Sequence, residues 1–469
     1  MLTRYSLDRY ISHGKCHINE PFHRIMEEEE TTLLLEGATP SVLPLPSEID
    51  EHFGRGPGSK GLRKVFHNSV MTGSRTRSVL LLHHILSSSY FPDGQIRILD
   101  GLGASGIRSR RWMTELPPEE SRRLDLHVCD ILPESLEWIA KNIQRFSLDN
   151  QIKLIEGDLR SKVLEGGWHW IDIDPYGSPM PFLDPVIQAL SRDAILEVTA
   201  TDTAALTGSS KGPTMRRYGA FVRTDKWAHD SGLRVLMANV ARIAARHDRF
   251  IEPLLSVWES HHIRVSVAVR RSKQNASSVE KNIGWRIINP NASEIQSSID
   301  AGLHPHGCPE MSQPFCFLPF RHPVNHQDRR VSGPLWTGPL ASRDVLSQLN
   351  PEVAQKLCVP TKKSLTNWGF PVEIHDQLIE QSNQSIHRSL LRFSQEANVD
   401  QSSSLLIVDR LNPHIPLRGP PSPSKLAEAL TESGHPSCVA SYSNPAILTS
   451  APWNLIYDTA LEIANESLK

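Results

Sequence analysis

At 469 residues the chain is too long for a single hydrophobic core, so two or three domains are expected. Its 39% hydrophobic and 22% charged content is ordinary for a soluble globular protein, and no apolar run is long enough to span a bilayer. A net charge of −2 excludes a surface that is basic all over, so any nucleic-acid site must be a local patch. Residues 1–20 are polar and lack the apolar core of a secretory signal, which makes a cytoplasmic protein without a membrane partner the expectation.

Residues 1–45 show little periodicity and carry an acidic run at 27–30, and they read as a partly ordered N-terminal extension. A Gly/Pro/Ser-rich loop follows at 54–61. Arg55, Lys60, Arg63, Lys64, Arg75 and Arg77 fall between His52 and Pro92 without one acid, either as an RNA-facing patch or as a solvated face. Val79 to Leu82 begins an apolar helix or strand. Residues 96–99 form a short strand that ends at Asp100 and a glycine loop, and Gly106-Ile107-Arg108 opens a helix. A second alternating strand ends at Asp130. Pro133 suits a first helical turn, and Leu136, Ile139, Ala140 and Ile143 follow at helical spacing. Residues 152–155 make a third strand ending near Asp158, 168–173 a fourth, and 194–198 a fifth.

Strands alternating with helices predict an α/β fold, Rossmann-like, with a mainly parallel sheet. Such sheets bind ligands at the carboxyl ends of their strands, where Asp100, Asp130, Asp158 and Asp174 all fall. The stripe Leu233, Met237, Val240 and Ala244 reads as core of a helix. Residues 263–269 alternate as a later strand, with Arg264 and Ser266 on one face and Val265 and Val267 on the other. These patterns place one domain at 46–272, an interdomain region rich in Asn, Ser, Pro and His at 273–330, and a small α+β domain at 331–469. In the last domain Ser422-Pro423 opens a helix that Gly434 closes. Arg388, Arg392, Arg410, Arg418 and Lys425 face either a phosphate backbone or solvent.

Six cysteines, Cys16, Cys129, Cys308, Cys316, Cys358 and Cys438, are scattered without a CxxC pair and read as free thiols. Cys308 and Cys316 lie near His304, His306 and His322, a loose spacing for a metal site, and no metal is expected.

Gly101-Leu102-Gly103-Ala104-Ser105-Gly106 fits GxGxxG, a pattern shared by nicotinamide dinucleotides and S-adenosylmethionine. Pyrophosphate would use the positive N-terminus of the next helix, whereas S-adenosylmethionine needs acids for its amino group and ribose. Asp100 directly before the glycines, Asp130 placed for the ribose hydroxyls, and Asp158-Leu159 placed for the adenine favour S-adenosylmethionine. The run Asp172-Ile173-Asp174-Pro175-Tyr176-Gly177-Ser178-Pro179 closes the fourth strand. Asp174 can accept a hydrogen bond from an exocyclic amine, Pro175 aims neighbouring carbonyls at the same point, and Tyr176 offers a face for a base to stack on. The same acid could instead cap a helix.

Together these residues resemble the tRNA (guanine-26) N2-dimethyltransferase family of archaeal and eukaryotic type. The resemblance runs through residues 99–111, 171–183, 198–208, 229–234, 242–248, 333–340 and 443–453, in order. It implies a class I methyltransferase domain, S-adenosylmethionine as cofactor, a C-terminal tRNA-binding domain, and tRNA as partner with no obligate protein partner. It further implies that Asp174 is the catalytic acid and Tyr176 the aromatic at the target base, with Arg75, Arg108, Asp130, Asp158 and Leu159 at the cofactor. Phe66 would serve the other face of the extruded base.

The sequence departs from the family pattern at Phe66-His67-Asn68-Ser69, Ser74-Arg75-Thr76, Ala228-His229-Asp230 and Cys438-Val439-Ala440-Ser441. One or two methyl transfers stay open. So do three alternatives: a methyltransferase for another base amine, a nicotinamide oxidoreductase, and a non-catalytic RNA-binding protein on the same fold.

Overall fold

A computed structural model describes residues 31–45, 65–88, 90–148, 151–303, 314–399, 404–409, 411, 420–443 and 445–466. The expectations for 1–30, for the 54–61 loop, and for Arg55, Lys60, Arg63, Lys64, Cys16, His304, His306, Cys308, Arg410 and Arg418 lie outside the described residues. Two compact units emerge. One holds the described residues up to Lys162 together with Pro351–Leu390, and the other holds Val163–Asn350 and Leu391 onward.

In the first unit, β3 (Ile96–Asp100), β4 (Leu124–Asp130) and β5 (Ile152–Glu156) pair in parallel, with Ile96 opposite Leu124 and Leu126 opposite Ile152. Helices α1 (Thr72–Ser87), α2 (Ile107–Glu115) and α3 (Pro133–Arg145) belong to the same unit. In α3, Pro133 and Glu134 sit in the first turn and Arg145 in the last, and Leu136, Ile139 and Ile143 are buried as the spacing predicts, whereas Ala140 of the same stripe is exposed. Val79 to Leu82 lie inside α1, fully buried, which settles helix over strand.

The expected N-terminal extension is ordered where it is described. β1 (Thr31–Glu36) and β2 (Thr39–Pro44) form an antiparallel hairpin integral to this unit. The Val42 N–H donates to Asn142 Oδ1 at 2.8 Å, and Asn142 Nδ2 returns a bond to Val42 O at 2.8 Å. The hairpin explains why Arg110 and Arg111 of α2 are fully buried despite a charged, solvent-like pattern. Arg110 donates to Pro40 O and Ser41 Oγ, and Arg111 pairs with Glu115 and Glu36. Buried charges persist only when paired in this way.

In the second unit, β6 (Trp168–Ile173) pairs in parallel with β7 (Leu190–Ala200). β7 then pairs antiparallel with β9 (His262–Arg271), and β9 with β8 (Arg249–Glu259). Helix α4 (Met180–Ala189) connects β6 to β7, and α5 (Ala228–Arg246) buries Leu233, Met237, Val240 and Ala244. The segment read as an interdomain region is structured. β10 (Ile283–Ile288) lies between β11 (Phe315–Pro319) and β12 (Val331–Trp336), and a capping box at Asn291 and Glu294 starts the helix Ala292–Asp300. A three-stranded sheet of β13 (Ser404–Ile407), β14 (Ser437–Val439) and β15 (Ala446–Thr449) packs its apolar residues with Leu426 and Leu430 of the helix Pro423–Glu432. Among the described residues no helix is long and apolar enough to cross a membrane.

Candidate active site

The first unit presents a glycine loop between β3 and α2. Gly106 adopts φ +64, and a Cβ there would meet Ile139 at 2.8 Å. A Cβ on Gly103 would meet Val128 at 2.2 Å, so both positions require glycine to let the loop pack on β4 and α3. The Gly103 N–H donates to Cys129 O at 3.0 Å, and the Gly106 N–H to Gly103 O at 2.7 Å. Both carboxylate oxygens of Asp130 accept backbone bonds, from the Ala104 N–H at 2.8 Å and the Leu132 N–H at 2.9 Å. A carboxylate has about four acceptor sites, which leaves room for two ligand hydroxyls. Asp130 is therefore both a loop cap and a candidate ribose acceptor. Asp100 is buried and accepts from Ser109 Oγ at 2.7 Å.

Asp158 is only partly buried, and the Arg160 side chain and backbone N–H beside it hold its carboxyl below the usual range. Leu159 is buried at the start of its short helix. The three acids share an electrostatic signature. Burial first, and then the charges of Asp130, Asp100 and Asp158, push the Cys129 thiol up to about 12. An edge with that negative potential suits a cationic ligand and disfavours a pyrophosphate. This chemistry of the donor set fits S-adenosylmethionine, which carries a sulfonium and an ammonium.

Arg75 is buried, and its guanidinium is held bidentately by Glu36, at 2.5 and 2.6 Å, and by Asn68 O at 2.8 Å. Its visible partner is thus the hairpin of the N-terminal region. His67 meets Ser105 of the glycine loop at 3.1 Å, and the neighbouring Phe66 is exposed. Arg108 is buried on the first turn of α2.

The second unit carries the turn that follows β6. Asp174 is half-buried, Pro175 is buried, and Tyr176 is 76% exposed. An aromatic ring that far out of a core is available for stacking rather than packing. The turn is held at two points. The Gly177 N–H donates to Thr201 Oγ1 at 2.6 Å, and the Thr201 N–H donates to Gly177 O at 2.9 Å. Ser178 Oγ then donates to Tyr218 OH at 2.9 Å, and Tyr218 OH donates to Asp202 Oδ1 at 2.5 Å. Gly177 has φ +89, a conformation that favours glycine. Thr201→Val removes the acceptor for the Gly177 N–H. We expect kcat to fall about 10-fold, from a cost of roughly 1–3 kcal/mol spread over turn geometry and stability. Single-turnover rates at saturating cofactor check this, and cofactor affinity should not change.

Beneath the turn lies a buried charge cluster. Arg264 of β9 pairs with Asp172 of β6 and with Glu197 of β7 at 2.8 Å, and donates to Thr199 Oγ1 at 2.6 Å. Ser266 Oγ donates to Glu197 at 2.8 Å. Burial alone would lower the guanidinium pKa, but the carboxylates of Asp172, Glu197 and Asp174 raise it above its ordinary value. Removing the cation would strand two buried carboxylates. Arg264→Met should therefore cost about 3–5 kcal/mol of stability, read as a lower urea midpoint.

The sequence pattern of the N2,N2-dimethylguanosine tRNA methyltransferase family matches residues 59–460. The chain belongs to this family. A tRNA (guanine(26)-N(2))-dimethyltransferase of Thermoplasma acidophilum is 32% identical over 247 residues, which is 53% of this chain and 67% of that protein. One of Methanoregula boonei with the same name is 28% identical over 424 residues, 90% of this chain and 96% of its own length. The solved structure of Trm1 from Pyrococcus horikoshii in complex with S-adenosyl-L-methionine superposes with a TM-score of 0.60 at 21% identity, covering 91% of this chain and 99% of that one. At that identity the likeness shows the fold, α/β with a mainly parallel sheet and a Rossmann-like arrangement.

Within this methyltransferase family member, several residues of the two clusters escaped the sequence reading. Glu36 lay in a segment read as an extension, and nothing in its neighbourhood pointed to a buried guanidinium. Thr201 and Asp202 stood inside a run that matches the family, residues 198–208, but no periodicity links them to Gly177. Tyr218 carries no signal in the sequence; its buried ring and its hydrogen bonds appear only in three dimensions. Among the described residues no group of three metal-ligating side chains comes together.

Proposed function

We propose that this chain transfers one or two methyl groups from S-adenosylmethionine to the exocyclic 2-amino group of guanine 26 of tRNA; its relatives are named tRNA (guanine(26)-N(2))-dimethyltransferases. The observation that carries this reading is the turn after β6, in which a half-buried acid precedes a buried proline and a largely exposed tyrosine, followed by Gly177, which bonds to Thr201, and Ser178, which bonds to Tyr218.

The bound cofactor supplies an electrophilic methyl on a positively charged sulfur. In this reading Asp100 takes the ammonium, Asp130 the ribose hydroxyls, and Asp158 with the backbone of Leu159 the adenine. The guanine must leave its stack to be reached. Tyr176 stacks on the extruded base, and Pro175 fixes the turn that presents it. Asp174 accepts a hydrogen bond from the 2-amino group and orients the nitrogen lone pair. As the amine nitrogen takes up the methyl group, positive charge would grow on it. The Asp174 carboxylate stabilises that charge and takes the departing proton. Orientation supplies the larger share, about 7–11 kcal/mol for well-aligned reactants. Phe66 and the bound state of Arg75 and Arg108 belong to the same reading, as does tRNA contact by residues 331–469.

Incubating the chain with methyl-labelled S-adenosylmethionine and an unmodified tRNA transcript, followed by nucleoside analysis, tests the reading. Label in N2-methylguanosine or its dimethyl form supports it. Label confined to another nucleoside overturns the substrate.

A further inference from the structure

We propose that the short helix Lys211–Tyr218 is the phosphate-gripping edge of the base-receiving turn, with Lys211 and Arg216 contacting the RNA backbone that flanks the extruded nucleotide. The inference rests on the function proposed above and adds to it the element that holds the RNA.

The helix has two faces. Thr214 and Tyr218, four residues apart, are buried and tie it down. Thr214 Oγ1 donates to the carbonyls of Ala205 and Ser210, at 2.5 and 2.8 Å. Tyr218 OH accepts from Ser178, two residues beyond the stacking ring of Tyr176, so the helix is joined directly to the turn. The opposite face is exposed at Lys211, Arg216 and Arg217 and contains no acid in its eight residues. Arg217 is partly committed, because its Nη1 pairs with Asp202 at 2.9 Å. Lys211 and Arg216 have no ion-pair partner among the described residues. Arg216 folds back along the helix, its Nη1 about 3 Å from where a Cβ on Gly212 would stand. That glycine leaves the guanidinium room to lie against the helix.

The chemistry of a partner follows. A positive face on which Lys211 and Arg216 lack an ion-pair partner among the described residues, beside a site for an extruded base, matches an anionic polymer whose phosphates remain where the base has left. The chain as a whole carries a net charge of −2, so attraction for RNA has to come from such local faces. Guanidinium and ammonium groups here would position the strand without reading its sequence, which leaves recognition of the base to the turn.

The test uses the full chain carrying Lys211→Gln and Arg216→Gln together, with Arg217 and Tyr218 left intact. Binding of an unmodified tRNA transcript is measured over a range of salt concentrations. Each lost phosphate contact lowers the slope of log affinity against log salt by about 0.7–0.9, so the double variant should lose about 1.4–1.8 of slope. Affinity at moderate salt should fall about 10-fold or more, whereas the dissociation constant for S-adenosylmethionine and the thermal midpoint should match wild type. An unchanged slope and affinity, with wild-type methyl transfer to tRNA intact, would overturn the helix assignment alone. A wild-type chain that transfers no methyl group to tRNA would overturn the function on which the assignment rests, and the assignment with it.

Discussion

Asp174→Ala should lower kcat by about 10²–10⁴ while the dissociation constant for S-adenosylmethionine stays close to that of wild type. The nitrogen of a guanine amine is a poor nucleophile because its lone pair is shared with the ring. It attacks only when rotated and polarised, and a carboxylate that accepts one of its hydrogens does both. Asp174 sits at the end of β6 in a turn whose backbone is fixed by Thr201 and by the buried Pro175. Its removal takes away the acceptor while Thr201 Oγ1 still holds the Gly177 N–H. Asp174→Asn separates charge from shape. It keeps an acceptor oxygen but cannot take the proton, and it should recover little of the rate. Equilibrium binding of labelled cofactor alongside single-turnover kinetics reads the two quantities separately. A variant that turns over near the wild-type rate would remove Asp174 from the chemistry.

Asp130→Ala should act in the opposite way, weakening cofactor binding by about 100-fold or more. A hydrogen bond to a charged acceptor is worth roughly 1.5–3 kcal/mol, and the ribose would lose two. The substitution also removes the acceptor of the Ala104 and Leu132 N–H groups, so the glycine loop loses its own support. Part of the loss is then loop disorder. Asp130→Asn distinguishes the parts, since its one carbonyl oxygen can keep a backbone bond but cannot serve both ribose hydroxyls. Isothermal titration with S-adenosylhomocysteine provides the measurement. An affinity unchanged in Asp130→Ala would mean that the carboxylate serves the loop alone.

Much of this arrangement was legible in the sequence for a physical reason. Short apolar strands that end in an acid or a glycine carry their own punctuation, and β3, β4, β5 and β6 end at or just before Asp100, Asp130, Gly157-Asp158 and Asp174. Pro133 and the stripe of α3 were equally local signals. What stayed hidden depends on long-range pairing. Arg110 and Arg111 look solvated until the hairpin at 31–44 supplies Pro40, Ser41 and Glu36 as partners. That hairpin lies in the segment that reads as a partly ordered extension, because its strands are brief and its buried acid, Glu36, resembles the charged run before it. Arg264 and Ser266 were placed on one face of β9, but alternation cannot say that this face carries a buried ion cluster. Residues 273–330 read as an interdomain region from composition, and β10, β11 and a capped helix form there. Strands of five or six residues flanked by Asn, Pro and Ser leave too little period to detect.

The most direct test of the central claim replaces guanosine 26 of a tRNA transcript, the position named in its relatives, with inosine. Inosine keeps the ring, the stacking face and the 6-oxo group and lacks only the 2-amino group. The account predicts tRNA binding close to that of the guanosine transcript and no methyl transfer to the altered one. Methyl transfer to the inosine transcript at an undiminished rate would contradict it, because the accepting nitrogen would then lie elsewhere.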